Sequence, residues 1–163
     1  MICIDLSRLF FALRSLKVDL NYEKAIQHIR ADSKEQVVGY TLSDKTNTAQ
    51  TKFLKKLREL GVEVHEIQAK DLSNDERENI SFTSELLATW ASISSIVTSS
   101  FTIVSDDPAL ARIIPILLGN GATCRVAFFS EALSGPLTTS VLSGDIDFID
   151  FSNPAIKTKV TGR

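Results

Sequence analysis

Aspartates follow two apolar segments of the chain that have the composition of buried strands. Asp5 ends residues 1–5, and Asp106 and Asp107 come directly after residues 100–105. If these two strands are neighbours in a parallel sheet, their carboxyl ends lie at one edge, and two or three carboxylates converge there. Clustered carboxylates repel one another unless a cation neutralises them, and oxygen-only clusters suit Mg²⁺ or Mn²⁺. The sequence therefore predicts a candidate site for such an ion.

The same aspartates have a structural alternative, because aspartate is a preferred residue at the start of a helix. Asp5 can cap a helix that follows the first strand, and Asp106 or Asp107 can cap the helix that follows the later strand. Their joint placement at one sheet edge favours a site over separate caps.

The elements that must position these residues alternate between apolar strand-like segments and segments of helical periodicity. This alternation is typical of a parallel sheet with helices on both faces. The predicted strands cover residues 1–5, 35–42, 62–67, 100–105, 122–129 and 147–151. The predicted helices cover residues 6–16, 22–31, a segment with the apolar stripe Phe53, Leu54, Leu57 and Leu60, residues 82–97, and a helix after Asp107 that Pro115 kinks or shortens. We therefore predict a Rossmann-like, three-layer α/β/α sandwich with a central, mostly parallel sheet.

The chain is predicted to form one domain at residues 1–152, followed by a basic tail at residues 153–163. No internal repeat or linker divides it. Residues 70–79 are almost entirely polar or charged, which predicts an exposed loop.

The composition is that of an ordinary globular domain, with 163 residues, 44% of them apolar and 23% charged, and a net charge of −2. Any binding of nucleic acid must therefore depend on a local patch of positive charge. Two cysteines and two histidines are too few for a disulfide framework or a four-cysteine zinc site. We expect Cys3 and Cys124 to be buried and reduced in a cytoplasmic protein. No apolar stretch approaches the ~20 residues of a membrane span, so none is predicted.

Several familiar motifs are absent from the sequence. No glycine-rich dinucleotide fingerprint follows the first strand, and neither a P-loop nor a serine esterase elbow occurs. His28 and His65 have no cysteine or histidine near them in sequence, so we expect both at the surface rather than at a metal site.

Four segments resemble those of a known family. They are Asp5-Leu6-Ser7-Arg8, residues 57–64 in the pattern L-x-x-x-G-x-x-V, residues 104–110 (VSDDPAL), and residues 148–151 (FIDF). In order and spacing they resemble the NYN (LabA-like) family of the PIN-like nuclease superfamily, from residue 1 to about residue 151. Its first strand ends in Asp-x-x-Asn and its fourth leads into V-S-G-D-S-D-F. Here Arg8 stands at the asparagine position, Asp106 at the glycine, and Ala109 at the second aspartate.

The resemblance implies a metal-dependent ribonuclease of PIN-like fold, in which an acidic cluster binds Mg²⁺ or Mn²⁺ and a bound water attacks the RNA phosphodiester. By analogy Asp5 and Asp107 are expected to be catalytic together with Glu85, which is the only acid available where the family has an acidic residue before the fourth strand; Thr83 or Ser84 is the alternative at that position. The expected metal ligands are Asp5, Asp106 and Asp107. The expected contacts to substrate are Arg8, Ser105, Lys45, Lys52 and Arg112.

Two further hypotheses remain open at this point. In the first, the chain is a non-catalytic PIN-like module that binds RNA or a protein partner, or forms a homodimer, and Arg8 pairs with Asp5 to fill the metal position. In the second, it is a doubly wound domain outside the family that binds a nucleotide or a phosphate group. A first strand adjacent to the fourth, with an acidic pocket at their ends, would count against the second hypothesis.

Overall fold

The computed structural model describes residues 1–30, 32–68 and 100–159. Eight strands are β1 Ile2–Asp5, β2 Val18–Leu20, β3 Val37–Ser43, β4 Glu63–Gln68, β5 Ser100–Val104, β6 Thr123–Phe128, β7 Asp147–Asp150 and β8 Lys157–Lys159. The α-helices are α1 Leu6–Leu16, α2 Tyr22–Ile29, α3 Thr48–Glu59, α4 Leu110–Gly119 and α5 Gly135–Leu142, and a 3₁₀ turn covers Ser130–Ala132. The predicted loop at 70–79 and the predicted helix at 82–97, which includes Glu85, lie outside the described residues.

Six of the strands form one parallel sheet in the order β4-β3-β1-β5-β6-β7. The two strands that precede the aspartates are direct neighbours, with Ile4 of β1 opposite Val104 of β5. β1 also pairs with β3 on its other side, so the sheet reverses direction between β1 and β5. In an open parallel sheet, the crevice beyond the strand ends at such a reversal is the usual place for a ligand.

Apolar cores lie on both faces of the sheet. Ile2 and Ile4 of β1 belong to a core with residues of α1, α2 and α3, whereas Cys3 belongs to a core with residues of α4 and α5. This alternation is expected because successive side chains of a strand point to opposite faces. The predicted three-layer α/β/α architecture is confirmed. Cys3 and Cys124 are buried and free, as expected.

Helix α1 begins directly at the end of β1 and holds the chain of the candidate site against the sheet. Its buried residues, at helical spacing, are Leu6, Leu9, Phe10, Ala12 and Leu13. The side chain of Asp5 caps it by accepting a hydrogen bond from the backbone N–H of Arg8. The helix ends at Lys17, whose φ of 52° is left-handed.

The tight junction between β1 and α1 depends on Gly39 in the neighbouring strand β3. A Cβ atom at this position would lie 2.6 Å from Cδ1 and 2.8 Å from Cγ of Leu6. Leu6 is the first residue of α1 and is buried, so it has little room to move.

We therefore expect Gly39→Ala to lower the free energy of unfolding by about 1–3 kcal/mol, because it overpacks the core at this junction. Urea denaturation followed by circular dichroism measures the change. Gly119→Ala is the matched control, since nothing lies within 4 Å of a Cβ atom there. Equal stability of the two variants would contradict the inference that the junction between β1 and α1 requires glycine at position 39.

The C-terminal segment differs from the sequence-based expectation. Residues 157–159, assigned to a basic tail, form β8 and pair antiparallel with β2, which was not predicted. Ile156 is buried beside this pair, and burial of its apolar side chain favours packing of the segment against the domain. The domain therefore extends past residue 152 to at least residue 159.

Helix α4 also differs from its predicted form. It begins at Leu110, its N-cap residue Ala109 makes no side-chain cap, and it continues through Pro115 to Gly119. Asp107 instead stabilises the preceding turn, where its Oδ1 accepts a hydrogen bond of 2.9 Å from the backbone N–H of Ala109. Among the described residues no helix is long and apolar enough to cross a membrane.

Candidate acidic site at the ends of β1 and β5

The guanidinium of Arg8 lies among the three predicted aspartates at the sheet reversal. Its Nη1 is 3.1 Å from Oδ1 of Asp106, its Nε is 3.8 Å from Oδ2 of Asp5, and its Nη2 is 4.0 Å from Oδ1 of Asp107. The sequence thus correctly predicts that the three carboxylates converge and that Arg8 pairs with Asp5. The contacts of Arg8 with Asp106 and Asp107 were not foreseen.

Asp5 is the buried member of this cluster, with 5% of its surface exposed. Burial raises the pKa of its carboxyl group to about 6, although the hydrogen bonds from Arg8 N–H and from Ser105 and the charge of Arg8 act in the opposite direction. Desolvation penalises the charged form of a buried acid, and it is the dominant cause here. These partners therefore favour the ionised form of Asp5 against the effect of burial.

Ser105 connects the two strand ends and is completely buried. Its hydroxyl donates a hydrogen bond of 3.2 Å to Oδ2 of Asp5 and accepts one of 3.1 Å from the backbone N–H of Asp107. The hydroxyl thus already donates one hydrogen bond and accepts another within the protein. In this arrangement Ser105 positions the aspartates and is not accessible to a substrate, in contrast to the predicted substrate contact.

The cluster does not fit a divalent metal ion as it stands. Within residues 1–30, 32–68 and 100–159, no three His, Cys, Asp or Glu side chains are arranged to hold one. Arg8 occupies the position between the carboxylates, where its positive charge would repel a metal cation. Asp5 also caps α1, as the helix-capping interpretation of this residue predicts.

The other predicted site residues do not join the cluster. Lys45 lines a separate surface pocket of about 280 Å³ beside the start of α3. Lys52 and Arg112 are exposed on α3 and α4 and make no ion pair with the three aspartates in the described ranges. Glu85 falls outside the described residues, so its predicted role stays a prediction. His28 and His65 are exposed, as expected.

Residues that the sequence analysis did not single out complete the surroundings of the cluster. The hydroxyls of Ser7 and Thr41 are 3.0 Å apart, which ties the first turn of α1 to β3. An open groove of about 600 Å³ runs from Asp106 along the flank of α1, and Phe11 and Glu131 are part of its lining. Phe11 could have been noticed from sequence, because it lies off the apolar stripe of an otherwise regular amphipathic helix.

Comparisons with known proteins bear on the fold. Neither a protein-family model nor a curated protein matches the chain. A crystal structure of a protein of unknown function from Vibrio parahaemolyticus RIMD 2210633 is similar, with a TM-score of 0.68 and 18% sequence identity, over 93% of this chain and 91% of that chain. At this identity the likeness concerns the fold alone, and it shows that the same α/β/α arrangement occurs in a crystallised protein.

Proposed function

We propose that this chain is a PIN-like module that binds RNA without cutting it, with its acidic site closed by Arg8. The observation that carries the proposal is the guanidinium of Arg8 within 4.0 Å of all three aspartates. A guanidinium supplies the positive charge that such a cluster needs, and it forms directed hydrogen bonds to carboxylates. The cluster is thereby stabilised without an ion.

Loss of catalysis follows from the same arrangement. A metal-dependent hydrolase needs an ion with open coordination positions for water and substrate. Arg8 donates a hydrogen bond to Asp106 and places its positive charge within 4.0 Å of Asp5 and Asp107, and Ala109 stands where the resembled family has a further aspartate.

RNA is the proposed ligand because the family resemblance implies it and because the site lies in the crevice where ligands of parallel sheets bind. β1 lies next to β5 with an acidic cluster at their ends, and this arrangement counts against a nucleotide-binding or phosphate-binding domain outside the family. The cytoplasm is the proposed compartment, since Cys3 and Cys124 are free thiols. A homodimer or a protein partner stays a prediction.

Incubation of the purified chain with labelled single-stranded RNA, with and without Mn²⁺, tests this proposal. We expect a dissociation constant of about 1–100 µM at physiological salt, typical of binding through phosphates, and intact RNA in both conditions. Binding that weakens with salt would support the proposal. Cleavage that depends on Mn²⁺, or no binding even at low salt, would overturn it.

A metal-dependent ribonuclease is the second candidate, and the convergence of the carboxylates of Asp5, Asp106 and Asp107 favours it. This activity requires Arg8 to leave the cluster, for example to meet a phosphate group. The two candidates differ in whether the wild-type chain or only a variant without Arg8 binds Mn²⁺.

A further inference from the structure

We infer that the outer face of α1 is a platform for single-stranded RNA, on which a base stacks against Phe11 while Arg14 and Lys17 attract the backbone. This inference deepens the proposed function and rests on it. It concerns residues that neither the acidic cluster nor the hydrophobic core uses.

The exposure of Phe11 is the first observation. Its side chain is 67% exposed, whereas Phe10 beside it is buried. The core contacts of α1 are already made by its apolar stripe, so Phe11 contributes little to folding. The rings of Phe10 and Phe11 are 5.9 Å apart at an interplanar angle of 70°, and this edge-to-face contact supports one edge of Phe11. A large part of the ring surface stays open to solvent.

The charge of the helix is the second observation. Residues 6–17 contain Arg8, Arg14 and Lys17 and no acidic residue. Arg14 lies over the ring of Phe10 at 5.6 Å from its centroid, and Lys17 ends the helix. Within the described ranges neither Arg14 nor Lys17 makes an ion pair, so both charges are available to a polyanion. In a chain of net charge −2, this is a local basic surface of the kind nucleic-acid binding requires.

The groove beside α1 is the third observation. Its lining includes Phe11, Ser15, Asp106 and Glu131. Of its two acidic residues, Glu131 pairs with Lys157, whereas Asp106 shares Arg8 with Asp5 and Asp107, so the end of the groove at the acidic cluster keeps a net negative charge. A phosphodiester backbone is therefore expected on the side of the groove away from this cluster, where Ser15 is exposed and its hydroxyl can donate a hydrogen bond to a phosphate oxygen.

Aromatic rings interleaved with basic side chains are the usual means of binding single-stranded nucleic acid without sequence preference. A base has a π-face that stacks on Phe11, and its flanking phosphates are within the reach of long cationic side chains. A duplex cannot offer its bases in this way, so single-stranded RNA is the occupant that this surface fits.

Fluorescence anisotropy with a labelled oligouridylate of about ten nucleotides, titrated with the full chain, tests the inference. We expect Phe11→Ala to weaken binding by about 5-fold to 100-fold, the range for loss of one stacked base, and Phe11→Tyr to bind as the wild type does. Arg14→Gln and Lys17→Gln should each reduce the slope of log K against log salt by about 0.7. Leu142→Ala is the control, because Leu142 is an equally apolar residue that is 82% exposed on α5.

The outcomes separate this inference from the proposed function. Wild-type binding that Phe11→Ala leaves unchanged would overturn the platform but not RNA binding, whereas no wild-type binding at low salt would overturn both. An equal loss in Leu142→Ala would also overturn the platform. If Phe11→Ala alters the oligomeric state in gel filtration while RNA affinity is unchanged, the face is a protein interface instead. Unchanged circular dichroism of Phe11→Ala checks that the variant is folded.

Discussion

Replacement of Arg8 by alanine is expected to create a Mn²⁺ site that the wild-type chain lacks. Without the guanidinium, Asp106 and Asp107 lose their positive partner while Asp5 stays next to them at the end of β1. The like charges then repel one another, and a divalent cation becomes the available means of neutralising them. We expect the dissociation constant for Mn²⁺ to fall from above about 1 mM to below about 100 µM, a weak site of few ligands.

Isothermal titration calorimetry with Mn²⁺ measures this change directly, and thermal unfolding provides a second readout. The metal-free Arg8→Ala variant should unfold at a lower temperature than the wild type. Saturating Mn²⁺ should recover part of this loss, since a ligand at about 100 times its dissociation constant stabilises the folded state by about 2.7 kcal/mol. Wild-type unfolding should not respond to the ion.

Arg14→Ala is the matched control for this experiment, because it removes a cation from the same helix without touching a carboxylate. The double variant Arg8→Ala/Asp106→Asn should lose the new site. Tight Mn²⁺ binding by the wild type would show that Arg8 does not close the cluster and would favour the ribonuclease candidate. Failure of both wild type and Arg8→Ala to bind would mean that the three carboxylates do not form a metal site at all.

The aspartate cluster illustrates what the sequence can and cannot predict. The strand ends at Asp5 and Asp106 are readable because buried parallel strands are short apolar runs, and their carboxyl ends share one edge. The contact between Arg8 and Asp106 is not readable, since it joins residues 98 positions apart and depends on the conformation of a long side chain. The sequence predicts which side chains lie close together, but not which of them form ion pairs.

The small sheet of β2 and β8 was missed for a different reason. Each strand has three residues, which is too short for an alternation of apolar and polar positions to stand out. Their pairing also depends on the burial of Ile156, and the surrounding polar residues of segment 153–159 predict a tail when read alone. Because Pro115 lacks a backbone N–H, the sequence predicts a kink or an early end in helix α4. In the structure the apolar face of α4 packs on the sheet, and the helix continues past Pro115 to Gly119.

The role of Ser105 likewise cannot be predicted from the sequence. From sequence it is a polar residue at a strand end, beside two acids, and a substrate contact is a reasonable prediction. Its complete burial between Asp5 and the backbone of Asp107 gives it a positioning role instead. Such a role depends on the distance between two strands, which no local pattern encodes.

Replacement of Ser105 by alanine is therefore expected to cost about 2–4 kcal/mol of the free energy of unfolding. The change removes a hydrogen-bond donor to a buried carboxylate and an acceptor for a backbone N–H, and each loss leaves a polar group without that partner. Urea denaturation at fixed pH measures the difference. Ser15→Ala is the control, because Ser15 is exposed on α1 and its change should alter stability by less than about 0.5 kcal/mol.

The pH dependence of this loss distinguishes a role at Asp5 from a simple packing defect. The pKa of Asp5 is about 6 in the folded protein against an ordinary value of 3.8, so ionisation of Asp5 makes folding less favourable as the pH rises between these values. The hydrogen bond from Ser105 lowers that pKa, and its removal raises the folded-state pKa further. The cost of Ser105→Ala should consequently be smaller at pH 5 than at pH 8 and should grow as the pH rises above about 6, while the part that comes from the unpaired N–H of Asp107 stays constant. A loss of the same size at pH 5 and pH 8 would mean that the ionisation of Asp5 does not depend on the hydroxyl of Ser105.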